Sequence, residues 1–262
     1  MDYRKLLDMT GKVCVVTGGI GYLGRENVKI LQDFGATVVA ADIRDSETRW
    51  ENAEDGIQAD FVYCNVASSE SFAECFRTVY QRYGRIDVLV NCACFGAGYG
   101  KESQIEFMSD ETWLKGIDGS LNSTFRATRE IIPYMKENGG SIINYCSMYG
   151  VVSPDLRSYG DNPQKQPPNY GAGKAGVAQL TRYCAAALGE YNIRVNCVTP
   201  GPFPNPKNQN DAEFNKKLAE KTMLGRFGKS HEMAGAVLLL ASDASTFMTG
   251  SNIVVDGGWT AW

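Results

Sequence analysis

Along the chain, short runs of apolar and β-branched residues alternate with longer stretches whose apolar positions recur at helical spacing. The runs are VCVVT (13–17), TVVAA (37–41), FVYC (61–64), DVLVN (87–91), SIINYC (141–146), IRVNCV (193–198) and NIVVD (252–256). They are continuous instead of alternating, as expected for strands covered on both faces, and most intervals between them have room for a crossover helix. The pattern predicts an α/β fold with a doubly wound, parallel, seven-stranded sheet. No fixed-period repeat or low-complexity linker divides the 262 residues, so the chain reads as a single domain, 1–262.

Two stretches interrupt the alternation. Val151 to Asn169 carries Pro154, Pro163, Pro167 and Pro168, and PGPFPNPKNQND opens a second stretch at Pro200 that continues to about residue 224. Both follow carboxyl ends of predicted strands, where open parallel sheets bind ligands, so regions 151–169 and 200–224 are expected to wall a substrate site.

Composition narrows the function classes. Lys plus Arg total 26 against 30 Asp plus Glu, a net charge of −4, and no basic block occurs, which disfavours a nucleic-acid partner. The longest aliphatic stretch, Ala236 to Ala241, falls far short of the ~20 apolar residues of a membrane span. MDYRKLLDMTGKV mixes acids and bases without an apolar signal core, so a cytoplasmic location is expected. The eight cysteines form no CxxC pair, and Cys14, Cys64, Cys146 and Cys197 sit in or beside apolar runs, where a thiol acts as a small hydrophobe. With His231 as the one histidine, in the polar stretch KSHEM, no metal site is expected.

Directly after the first predicted strand comes TGGIGYLG, with Gly18, Gly21 and Gly24 where a strand must turn sharply into a helix. Glycine admits positive φ and close approach of a pyrophosphate, and the helix start beyond it offers unpaired N–H donors to an anion. Asp42 closes the second strand, 42 − 24 = 18 residues after the last glycine, the place of a ribose-binding acid. Its carboxylate would accept from ribose hydroxyls and repel a 2′-phosphate, so NAD is expected over NADP. Arg44 and Arg25 lie close enough in sequence to offset that charge or to be ordinary solvated side chains.

In NYGAGKAGVAQLTRYCAAAL, Tyr170 and Lys174 are 174 − 170 = 4 apart and share a helix face. Together with TGGIGYLG, NCAC (91–94), SIINYCS ending in Ser147, IRVNCVTPG and VDGGW, this chain resembles the short-chain dehydrogenase/reductase family over nearly its whole length. The resemblance implies a Rossmann-type sheet, a nicotinamide cofactor and interconversion of alcohols and carbonyls. Tyr170 then looks like the general acid/base, Ser147 like the donor that polarises the substrate oxygen, and Lys174 like the cation that eases the phenol's ionisation and holds the nicotinamide ribose. Moving a tyrosine from near 10 to about 7 takes roughly 4 kcal/mol. One cation about 4 Å away at an effective dielectric of roughly 20 supplies a similar amount.

The same resemblance implies cofactor contacts from Gly18, Gly21, Tyr22, Leu23 and Gly24 in the turn, and from Asp42 and Ile43 after the second strand. Asn65 and Val66 would serve after the third strand, Asn91 and Ala93 after the fourth, and Pro200, Gly201 and Phe203 after the sixth. The chain departs from the family at several points. Tyr22 stands where most members have glycine, and Cys92 and Cys94 replace an asparagine and a glycine. Ser120 occupies the place of the family's proton-relay asparagine, whose role runs largely through its main-chain carbonyl, so Ser120 is carried over as a catalytic position. Ser147 and Tyr170 are 170 − 147 = 23 residues apart, about ten more than usual for the family. The lengthened loop places Asp155 and Arg157 as candidate substrate contacts, with Phe203 from the second loop.

SMYGVVSPDLRSYG, YGAGKAGVAQLTRY and GPFPNP resemble members that act on sugar acids, polyols and precursors of nonulosonic acids. A polar, carbohydrate-like small-molecule substrate is therefore expected. The departures at Ser120 and Cys94 also leave room for a catalytically weakened NAD(H)-binding sensor or scaffold. Trp259 and Trp262 close the chain, where aromatics tend to pack in a core or an interface, and the resemblance implies a subunit contact through the last strand and the preceding helix, so a homotetramer is expected, with a dimer as the alternative.

Overall fold

A computed structural model describes residues 2–43, 56–205 and 211–262. All seven predicted strands form: β1 (Val13–Thr17), β2 (Thr37–Asp42), β3 (Asp60–Tyr63), β4 (Val88–Asn91), β5 (Gly140–Tyr145), β6 (Ile193–Pro200) and β7 (Asn252–Val255). They pair in parallel as β3-β2-β1-β4-β5-β6-β7. The main helices are α1 (Gly24–Asp33), α2 (Ser69–Tyr83), α3 (Asp110–Ile117), α4 (Ser123–Met135), α5 (Pro168–Leu188), α6 (Ala212–Ala219) and α7 (Ala234–Ala241).

The unbroken apolar runs follow from burial on both sheet faces. Val13, Val15, Val39, Leu89, Ile142 and Val195 point into one layer with Phe72 and Phe76 of α2, Ile131 of α4 and Leu188 of α5. Their neighbours Cys14, Val16, Val38, Val90, Ile143 and Val198 point into the other, against Val28 and Leu31 of α1 and Val237 and Leu238 of α7. This is the Rossmann-type arrangement expected from the sequence. Cys14, Cys64, Cys146 and Cys197 are all buried.

The strand order reverses between β1 and β4, so the chain leaves their carboxyl ends in opposite directions and a crevice opens there. The stretch after β5 holds only short turns until Pro167 and Pro168 start α5, Pro168 serving as a first-turn proline. Between α3 and α4 the helix widens into a single π turn, Asp118–Asn122, which carries Ser120. No helix among the described residues is long and apolar enough to cross a membrane.

Candidate active site

The crevice is a cleft of about 640 Å³ along the carboxyl edge of the sheet. Its floor at one end is the glycine turn. Gly18 adopts φ +66°, and a Cβ on Gly24 would fall 2.0 Å from the Gly18 carbonyl oxygen, so neither position admits a side chain without rebuilding the turn. The Gly21 amide donates to that same carbonyl at 2.9 Å, and the Arg25 amide donates to Gly21 at 3.0 Å, which starts α1 with its first residue on the cleft wall. Tyr22 fits this turn without positive φ, and together with Leu23 it lines the cleft.

Asp42 closes β2 with its carboxylate buried at the cleft edge; Oδ1 accepts from the Ile43 amide at 2.8 Å and Oδ2 from the Ile20 amide at 3.4 Å. Ile43, Asn65, Val66, Ala93, Pro200, Gly201 and Phe203 also lie on the wall. Arg44 lies outside the described residues. Asn91 is placed differently: it is buried within the sheet and donates its amide to Asn144 at 2.9 Å, and Asn144 in turn donates to Thr181 at 2.9 Å. That chain ties β4 to β5 and α5 and keeps the Asn91 side chain off the cleft wall.

At the other end of the cleft, Ser147, Tyr170 and Lys174 converge. Ser147 follows β5 in extended conformation, and its hydroxyl oxygen accepts from the Tyr149 amide at 3.2 Å, leaving its O–H to donate. Tyr170 and Lys174 stand one turn apart on α5, with the Lys174 ammonium 5.8 Å from the centre of the Tyr170 ring. Lys174 is only 4% exposed and donates to the Tyr145 carbonyl oxygen at 2.7 Å.

Burial pushes the Tyr170 phenol above its ordinary value, although the Lys174 charge and a hydrogen bond with Ser147 pull it back. Lys174 thus pulls the phenol down, the direction expected of it, but by less than burial raises it. The physical reason is that desolvation outweighs one ammonium already held by a carbonyl. For Lys174, burial opposes the ammonium, but Cys94, Tyr170 and Cys146 outweigh it and hold the group above its usual range.

Three other candidates lie off this cleft's wall. Ser120 is buried, its hydroxyl donating to Gly116 at 2.7 Å, while its carbonyl oxygen accepts from the Thr124 hydroxyl at 3.0 Å. Asp155 and Arg157 pair with each other through bonds of 2.9 and 3.1 Å, and Asp155 also meets Lys221. The carboxyl of Asp155 is held well below the usual range by Arg157 and Lys221, and the Arg157 side chain is 92% exposed. These two side chains thus join the loops around the site. Tyr159 reinforces the join by packing on Phe214 of α6, ring centres 4.9 Å apart.

Several wall residues were not among the expected cofactor contacts: Cys64, Cys92, Cys94, Phe95, Tyr145 and Cys146. Tyr149, packed edge-on against the buried Trp259 at 6.2 Å, forms an aromatic corner two residues beyond Ser147. Its signal in the sequence was only that proximity and the pair of tryptophans at the C-terminal end.

A buried cation one helical turn from a phenol, gathered with a serine at one end of a dinucleotide-sized cleft, is matched by the comparisons. The family described as "Enoyl-(Acyl carrier protein) reductase" matches residues 17–260. The chain belongs to the short-chain dehydrogenase/reductase family. It is similar to 3-oxoacyl-[acyl-carrier-protein] reductase FabG of Thermotoga maritima, with 37% identity over 95% of this chain and 98% of that protein. Trans-4-hydroxycyclohexanecarboxylate dehydrogenase of Sinomonas cyclohexanicum is 36% identical over 95% of this chain and 93% of its own. The crystal structure of the NADPH-dependent 3-quinuclidinone reductase from Rhodotorula rubra superposes with a TM-score of 0.86 at 30% identity, covering 98% of this chain and 94% of that one. As a short-chain dehydrogenase/reductase, the protein is an enzyme acting on CH–OH groups and their carbonyl counterparts with a nicotinamide cofactor.

The described residues fit such a dinucleotide. The glycine turn at the start of α1 suits a pyrophosphate, and the phenol, serine and ammonium gather at the opposite end from the Asp42 carboxylate.

Proposed function

We propose that the protein is an NAD-dependent oxidoreductase that interconverts a secondary alcohol and a ketone on a polar, ring-shaped substrate of the sugar-acid, polyol or cyclic-alcohol type. The observation that carries this reading is the convergence of Ser147, Tyr170 and Lys174 at one end of a cleft whose wall also bears Asp42. Tyr170 exchanges a proton with the substrate oxygen, Ser147 donates to that oxygen, and buried Lys174 favours the ionised phenol. Bound nicotinamide supplies or takes up the hydride. Asp42 supports NAD over NADP because a carboxylate there would face a 2′-phosphate. The NADPH preference stated for the 3-quinuclidinone reductase belongs to that protein.

The ring-shaped substrate is supported by Tyr149, two residues beyond Ser147, which lines an apolar pocket with Val151, Val152, Pro154 and Leu156 that could take the C–H face of a ring. With Asp155 and Arg157 engaged with each other, polar recognition of a sugar acid would have to come from other groups. The dehydrogenase of Sinomonas cyclohexanicum, named for a carboxylated cyclohexanol, supports the cyclic-alcohol end of this class. Purified protein with NAD and a panel of sugar acids, polyols and cycloalkanols should change nicotinamide absorbance. Turnover restricted to 3-oxoacyl thioesters would refute the substrate class. Tight NADH binding with no turnover on any carbonyl would instead support the weakened sensor that Ser120 and Cys94 suggest.

A homotetramer, or a dimer, in the cytoplasm completes the proposal. Exposed Phe247, Val254 and Trp262 near the C-terminal end support self-association, which sedimentation of the purified protein would test.

A further inference from the structure

The residue before the acid/base tyrosine is Asn169, 0% exposed. Its amide nitrogen donates to the Thr112 carbonyl oxygen of α3 at 2.8 Å. The same side chain fills the space beside the bare backbone of Gly116, where a Cβ would fall 2.1 Å from Nδ2. One turn further along α5 the relationship is inverted, for a Cβ on Gly173 would fall 1.9 Å from Ser120 Oγ. Two pegs in two slots, on either side of Tyr170 in sequence, thus set the register of α5 against α3 and the π turn. That turn is itself seated on the cleft wall: a Cβ on Gly119 would fall 1.9 Å from the Phe95 carbonyl oxygen.

Asn169 Oδ1 is buried with no hydrogen-bond donor among the described residues. An interface built for stability alone would favour an apolar side chain here, because an acceptor stripped of water and left unpaired is unfavourable. An apolar side chain would lack the directional bond to Thr112 that fixes how the start of α5 is rotated and how deep it sits. We propose, resting on the acid/base role of Tyr170 given above, that Asn169 is a positioning residue. Its seat against Gly116 sets the depth at which the Tyr170 phenol faces Ser147 and the reacting carbon.

Because Tyr170 and Lys174 ride the same helix, withdrawing the peg moves both together and leaves their mutual spacing intact. Asn169→Ala and Asn169→Ser should therefore lower kcat by up to about 100-fold. The KM for alcohol should stay within about twofold, and the pH midpoint of kcat should not move. Gly116→Ala, which displaces the peg without deleting it, should reproduce the pattern if the Asn169 variants do not fold. A kcat within about twofold of wild type, or a loss expressed in KM or in the pH midpoint, overturns the proposal.

Amide hydrogen exchange of residues 169–174 in the NADH complex needs no substrate. Faster exchange confined to this turn in the variants supports the peg, and unchanged exchange refutes it. If wild-type protein oxidises no alcohol, the acid/base reading fails while the exchange result still decides the peg.

Discussion

The Lys174 ammonium donates to the main-chain carbonyl oxygen of Tyr145 at 2.7 Å, which fastens the catalytic helix α5 to the end of β5. Lys174 also pulls the Tyr170 phenol down against burial. Replacing it by Met removes a nearby positive charge, so the phenol should titrate at still higher pH. In a pH series of alcohol oxidation, the alkaline rise of Lys174→Met should begin later than in wild type. An unmoved limb would assign it to another group.

Tyr170 is raised by burial, so the ionised base is scarce at neutral pH. Oxidation, which needs the phenolate, should speed up as pH rises; ketone reduction, which needs the phenol, should slow over the same alkaline range. Tyr170→Phe should lose about 10²- to 10⁴-fold in turnover in both directions while binding NADH as wild type does. Appreciable residual turnover would mean that a different acid delivers the proton.

Asp42 has its carboxylate held by the Ile43 amide at 2.8 Å, oriented before any nucleotide arrives. Asp42→Ala should weaken NAD by roughly tenfold or more, the ~1.5–3 kcal/mol of hydrogen bonds to a charged group, and relax discrimination against NADP. Fluorescence titration with both reduced cofactors checks this. An unaltered NAD-to-NADP ratio would move the discrimination to another residue.

Of the eight thiols, all within the described residues, Cys94 is the most exposed, and it lines the cleft. Alkylation followed by mass spectrometry should find Cys94 modified first, and saturating NADH should slow that modification. Equal rates with and without NADH would place the dinucleotide elsewhere.

Gly173 leaves room for the Ser120 hydroxyl, 1.9 Å from where a Cβ would sit. Gly173→Ala should cost about 1–3 kcal/mol through overpacking. Adding Ser120→Ala should restore much of it in urea denaturation. Additive losses would show that the two positions do not compete for the same space.

The strands were legible because burial on both faces writes itself as uninterrupted apolar runs; even β3, with partly exposed Phe61 and Val62, differs from its run by one residue at each end. Tyr170, Lys174 and Ser147 were legible through the family resemblance that their motifs carry, since the four-residue spacing of Tyr170 and Lys174 is common on helices. The π turn was not, since DGSLN has no apolar period, and its widening follows from packing against Phe95 and Gly173, distant in sequence. The Asp155 partner of Arg157 was not legible for a related reason: whether a guanidinium reaches outward or to the carboxylate two residues before it depends on how a loop folds back. The Tyr170 phenol shows the same limit, because spacing reveals its cation but not how thoroughly water is excluded around it.

The all-parallel ladder has a consequence for how the molecule assembles. Cys14 pairs with Val88 and Thr17 with Asn91, so the central rungs join segments more than seventy positions apart, and no rung of this sheet can be made by a local hairpin. The chain must close long loops before its first central pairings form, which predicts slow, millisecond-to-second acquisition of native structure. During that interval the sticky runs that later fill both layers are uncovered, so refolding yield should fall as protein concentration rises.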